Sequence, residues 1–160
     1  MTRFARLGAY EALADVFETV FMVHLDTLDE AVPSRTLWDR SGDYLEVRVD
    51  LRRGRSSPAF FYFPAGLIKE IAANFLGMDG QAMDEGELSQ VGKMAARMTI
   101  GGLLGRVDPE ALVRAGEPQA RTIESFNPKR LRETPGVWVY HSGQGYLWVD
   151  VGSIGEVVLH

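Results

Sequence analysis

Residues 44–51, YLEVRVDL, alternate without interruption: Leu45, Val47, Val49 and Leu51 fall on one side, and Glu46, Arg48 and Asp50 on the other. Successive strand side chains point to opposite faces, so this segment is expected to press one face on a core and leave the other in water. RRGRSSP then supplies a turn, and AFFYF, residues 59–63, reads as a second strand of a hairpin. A sheet with one apolar face needs a second layer to cover it, and the rest of the chain is read as the source of that layer.

Helical spacing marks the first candidate, from Leu7 to about Leu28, with Leu13, Phe17, Val20, Phe21 and Leu25 on one side and Glu11, Asp15 and Glu18 on the other. Pro64 opens a second helix through Leu67, Ile68, Ile71, Ala72 and Phe75, with Gly77 placed to end it. Asp84 followed by Glu87 has capping-box spacing and starts a third. Its core stripe is Leu88, Val91, Ala95, Met98 and Gly102, and its exposed face is Glu85, Ser89, Lys93, Ala96 and Arg97. The glycines at 101, 102 and 105 are read as allowing close packing or ending the helix. Asp108 and Pro109 are expected to cap a further short helix closing near Gly116, and residues 119–135 to form a polar, partly mobile linker. The chain finishes in two alternating strands, VWVYH and YLWVDVG, around a glycine-containing turn. The order predicts a single α+β domain over residues 1–160, two layers deep, with an antiparallel sheet packed against long helices.

Charge and composition narrow the function. With a net charge of −5 the chain repels phosphate backbones and anionic lipids, so neither nucleic acid nor a membrane is an expected partner. Acids interrupt the apolar N-terminal stretch, which argues against a signal peptide or membrane span. The absence of cysteine removes thiol nucleophiles, disulfides and thiolate metal sites, and the composition suits the cytoplasm. His24, His141 and His160 lack ligand-like spacing, so no metal site is expected, and no phosphate-binding loop or nucleophile elbow is present to imply a cofactor or acyl transfer. Basic clusters stand at Arg52, Arg53 and Arg55 in the hairpin turn and at Lys129, Arg130 and Arg132; a solvated turn accounts for the first.

Three stretches, VFETVF, FFYFPAGLIKEIAANFLGMD and VGKMAARMTIGG, set in this order of elements, resemble the CheX/CheC family of chemotaxis phosphatases, CheX most closely. The resemblance covers most of the chain. It implies the CheC-like fold, no cofactor of its own, a CheY-like receiver domain as partner, and a homodimer as is common in CheX. In the family, a helix bears an acid or serine, a glutamate four residues later, an asparagine three further on and a glycine near its end; the amide orients the attacking water and the carboxylate pairs with the receiver's lysine. Carried over, Ser89 matches the first position, Lys93 stands for the glutamate, Ala96 for the asparagine, and Gly101 lies within one residue of the glycine. Both catalytic side chains are missing. Glu87 and Gln90 preserve an acid followed by an amide, but the capping box already employs Glu87.

These departures leave three readings. The leading one is a signalling protein that binds a receiver, phosphorylated or not, through Ser89, Lys93, Ala96 and Arg97 without ordinary phosphatase activity. The second is an active phosphatase acting on the receiver's aspartyl phosphate through residues such as Gln90. The third is a dimeric scaffold indifferent to phosphorylation.

Overall fold

The computed structural model describes residues 3–27, 42–127, 131, 134 and 136–150. Among the described residues three helices, a short 3-10 turn and seven strands follow one another as α1 (Arg3–Phe21), β1 (Asp26–Thr27), β2 (Gly42–Arg53), β3 (Arg55–Pro64), α2 (Ala65–Leu76), the turn Gly80–Ala82, α3 (Glu85–Val107), β4 (Arg114–Ala115), β5 (Gln119–Phe126), β6 (Val137–Ser142) and β7 (Gly145–Asp150). The strands form one antiparallel sheet in the order β1-β6-β7-β3-β2-β4, with β5 also paired to β2. This is the expected two-layer α+β arrangement.

The alternation that opened the sequence does what it predicts. Leu45, Val47, Val49 and Leu51 join Ala59, Phe61 and Phe63 in the main core, facing Leu13, Phe17 and Phe21 of α1, Leu67, Ile68 and Ile71 of α2, and Val91, Ala95 and Ile100 of α3. The opposite face is drier than expected: Tyr44, Phe126, Tyr146 and Trp148 form a second apolar cluster there. Burial pushes the Tyr44 hydroxyl up to about 12, and that hydroxyl donates to the Tyr146 carbonyl at 3.1 Å.

Helix α2 follows the sequence closely, from Pro64 at its N-cap to Gly77 in the left-handed conformation, φ 65°, whose N–H bonds the Ala72 carbonyl. The hairpin turn is tighter than expected, because Arg53 and Arg55 pair across Gly54 alone, at φ 82°. At the other end, α1 stops at Phe21 rather than near Leu28, where Met22 takes a positive φ of 57°. Val23 and Leu25 stay buried in the irregular segment leading into β1.

One expectation left open is decided, and two are corrected. Helix α3 does not end at its glycine pair but runs on to Val107. Gly102 serves close packing instead, since a Cβ there would sit 2.6 Å from Val16 Cγ1. No helix follows Asp108: its carboxylate, in a buried residue, accepts the N–H groups of Leu112 at 3.1 Å and Val113 at 2.8 Å, holding a turn that leads into β4. The first part of the expected linker is a strand: β5 pairs with β2 from Gly42↔Phe126 to Arg48↔Gln119. Lys129, Arg130, Arg132 and His160 lie outside the described residues.

Candidate functional site

Helix α3 carries every residue the sequence singled out for function. Its start is fixed by a complete capping box, in which Asp84 Oδ1 accepts from Glu87 N at 2.8 Å and Glu87 Oε1 accepts from Asp84 N at 3.4 Å. From there the helix crosses the sheet beside α1 and α2 on one flank and β5 on the other. Contact on both flanks buries a broad arc comprising Val91, Gly92, Ala95, Ala96, Thr99, Ile100 and Leu103. Gly92 marks the closest approach to the sheet, because a Cβ there would lie 2.1 Å from Leu45 Cδ2. The Thr99 hydroxyl, buried with it, donates to the Ala95 carbonyl at 2.7 Å and so leaves no unsatisfied group.

Ala96 therefore does not stand on the exposed face where the sequence reading put it. Its side chain is 0% exposed and belongs to the main core, so it touches no partner docked on the surface. Missing β5 in the sequence is the reason: without that strand, the flank of α3 that carries Ala96 reads as open to water. Ser89 and Lys93 are half-buried on the same flank, and Arg97 is exposed. Arg97 Nη2 donates to Glu117 Oε2 across the turn between β4 and β5. Both partners are largely exposed, so the pair is screened by water and readily opened. Lys93 has no ion-pair partner among the described residues.

Glu87 and Gln90 lie in the first turns of the helix, with Gln90 one turn before Lys93 and two turns before Arg97, so they border that flank. Together with Asp84, Gly86, Leu76, Met78, Val91 and Met94 they line a groove of about 540 Å³ between the end of α2 and the start of α3. The sequence reading placed Glu87 and Gln90 in one turn but gave no sign of this groove, because α2 contributes its floor. Leu76 and Met78, apolar residues at the end of α2 and in the turn after it, could have signalled it.

The remaining titratable groups are scattered. His24 Nε2 lies 2.8 Å from Asp26 Oδ1, and its pKa is raised by the hydrogen bonds to Asp26 and then Glu18. His141 Nδ1 approaches the same carboxylate at 3.8 Å. Among the described residues no group of three or more His, Asp or Glu side chains is arranged to hold a metal ion, and no helix is long and apolar enough to cross a membrane.

Among the described residues, an antiparallel sheet covered on one face by three helices, with the longest of them bearing the candidate site, defines the class of fold. No family model and no curated protein matches the sequence. Solved structures do match, over nearly the whole chain. A CheC-like superfamily protein from Shewanella sp. PV-4 superposes with a TM-score of 0.66 at 16% identity, covering 93% of this chain and 96% of its own. The chemotaxis protein CheX from Vibrio vulnificus gives 0.65 at 16% identity, covering 90% and 93%. CheX from Borrelia burgdorferi, solved in a complex with CheY, BeF3 and magnesium, gives 0.59 at 10% identity, covering 89% and 94%. The fold of this chain is that of the CheX/CheC proteins.

Proposed function

We propose that the protein is a chemotaxis-type signalling component that binds a CheY-like receiver domain through the Ser89, Lys93 and Arg97 flank of α3, without dephosphorylating it. The observation that carries this reading is the state of the two motif positions. Lys93 presents a cation where the family's carboxylate would pair with the receiver's lysine, and Ala96 is a buried methyl where an amide would orient water. A methyl group neither donates nor accepts a hydrogen bond, so the water-orienting step has no agent at that position. Receiver dephosphorylation by such a helix depends on positioning, and loss of the positioning groups removes most of what the helix contributes.

Support for a receiver as the partner comes from the fold and from the Borrelia CheX solved with CheY. What remains on the flank is suited to an anion. Among the described residues Lys93 has no ion-pair partner and Arg97 pairs with one exposed carboxylate, and Ser89 offers a hydroxyl. Such a set binds a phosphoryl group or an acidic pocket through charge-assisted hydrogen bonds. A soluble, cytoplasmic setting follows from this role.

Calorimetric titration with receivers from the same genome, with and without beryllofluoride, tests the reading. Binding is expected to be tighter to the beryllofluoride form and to weaken at least about tenfold on combining Lys93→Glu with Arg97→Glu, the size expected for reversing two contacts of ~1 kcal/mol each. Affinity untouched by that double charge reversal would remove the flank from the interface.

A second reading, an active phosphatase, draws on the exposed Glu87 and Gln90, which share the groove wall. In that case Gln90→Ala abolishes whatever acceleration the protein gives to receiver dephosphorylation.

A further inference from the structure

Arg52 and Arg114 come from distant parts of the chain and are brought side by side. They stand opposite each other in the β4–β2 pairing, next to Leu51 and Ala115. Leu51 is buried in the main core under the helices, so Arg52, its strand neighbour, projects from the other face of the sheet, and Arg114 projects beside it. Both are exposed, and neither makes an ion pair among the described residues. Two other arginines of that face are engaged: Arg48 Nε donates to Asp50 Oδ1 at 2.9 Å, and Arg121 Nε to Glu46 Oε1 at 2.7 Å.

Like charges directly opposite across a strand pair destabilise a sheet. A charged turn that shields a sheet edge accounts for Arg53 and Arg55 at the hairpin tip, but not for Arg114, which arrives by a separate loop. That loop is held at both ends. The Asp108 carboxylate accepts from Leu112 N and Val113 N, and beyond β4 Gly116 N donates to the Asp50 carbonyl at 2.7 Å. Between these anchors Leu112 is 47% exposed, with buried Val113 separating it from Arg114. Two guanidiniums without carboxylates are thus fixed beside an exposed apolar side chain.

We propose that Arg52, Arg114 and Leu112 form a docking surface for a carboxylate-rich segment of a partner protein that carries an apolar side chain among its acids. Guanidinium forks bind carboxylates through paired hydrogen bonds, and the incoming charge relieves the repulsion between the two arginines. Leu112 decides the class of partner. A phosphate backbone has no apolar group to cover it, and the chain's net charge of −5 opposes nucleic acid and anionic lipid, whose contacts are extended, whereas a short segment meets the local charge. Lys93 and Arg97 belong to the helix layer, and Arg97 reaches the sheet edge through Glu117, so their reversal serves as the control.

The probe is a fluorescein-labelled synthetic peptide in which leucine is flanked by glutamates, titrated with the full chain and read by anisotropy. Saturable binding is expected, weakened at least about tenfold by Arg52→Glu with Arg114→Glu and retained with Lys93→Glu and Arg97→Glu. Leu112→Ser should weaken it as well. Arg52→Glu alone should lower the affinity while raising the urea midpoint of the free chain, because a like-charged cross-strand pair becomes an ion pair. A lowered midpoint would remove the juxtaposition on which the proposal rests. Absence of binding, or binding that ignores the reversal of Arg52 and Arg114, overturns it. So does binding lost on reversing Lys93 and Arg97 instead, which would put the peptide on the receiver flank. Equal binding of oligothymidylate or phosphatidylserine vesicles through the same arginines also overturns it, since the surface would then select charge alone.

Discussion

Ala96 is the residue on which the functional reading turns. Its burial means that installing the amide implied by the resemblance is not free: Ala96→Asn forces an amide against the core, and the folded chain is expected to lose ~1–3 kcal/mol through overpacking and an unsatisfied polar group. Urea unfolding of that variant measures it directly. The glycines of α3 separate in the same assay. Gly92→Ala, whose methyl would meet Leu45 at 2.1 Å, should destabilise by ~1–3 kcal/mol. Gly101→Ala, with nothing within 4 Å, should stabilise the dilute chain by ~1 kcal/mol, the helix preference of alanine over glycine. Equal costs at the two positions would mean that α3 does not press on β2 as described.

Among the elements, the start of α3 and the edge strand β1 each rest on a few polar contacts. Asp84→Ala removes the side-chain half of the capping box and is expected to cost ~1 kcal/mol in urea unfolding. At β1, Asp26 faces His141 in register and accepts from His24. The raised His24 value belongs to the folded chain. Its stabilising contribution is therefore complete below the ordinary histidine range and disappears as the pH rises through the folded value. NMR titration of the His24 ring should show this, and Asp26→Asn should move the midpoint back toward 6.5; an unmoved midpoint would mean that the Asp26 contact is not the cause.

Elements whose own residues carry a full signal were legible in the sequence: β2 from its alternation, α2 from its flanking Pro64 and Gly77, and the start of α3 from Asp84 and Glu87. Elements defined by their neighbours were not. QARTIESF in β5 has few apolar residues and takes its conformation from hydrogen bonds to β2. The turn at Asp108 imitates a helix start, because an aspartate before proline caps helices and turns with the same carboxylate geometry. The candidate site shared this fate. Ser89, Lys93, Arg97, Glu87 and Gln90 were visible as residues, whereas the burial of Ala96 depends on β5 and the groove beside Glu87 depends on α2.

For the whole molecule, the sheet and the helices α1 and α2 form a frame that holds α3 fixed. The flank beside β5 carries cations, and the flank beside α2 carries an acidic apolar groove. A fold of this kind supports recognition as readily as catalysis, so activity rests on the side chains at the site. The most direct test is the decay rate of a phosphorylated receiver from the same genome, measured with and without a stoichiometric excess of this protein. An unchanged or slowed decay is the predicted result, with slowing reversed by Lys93→Glu and Arg97→Glu together. Accelerated decay that persists in a catalytic, substoichiometric regime would contradict the account and make the protein a phosphatase.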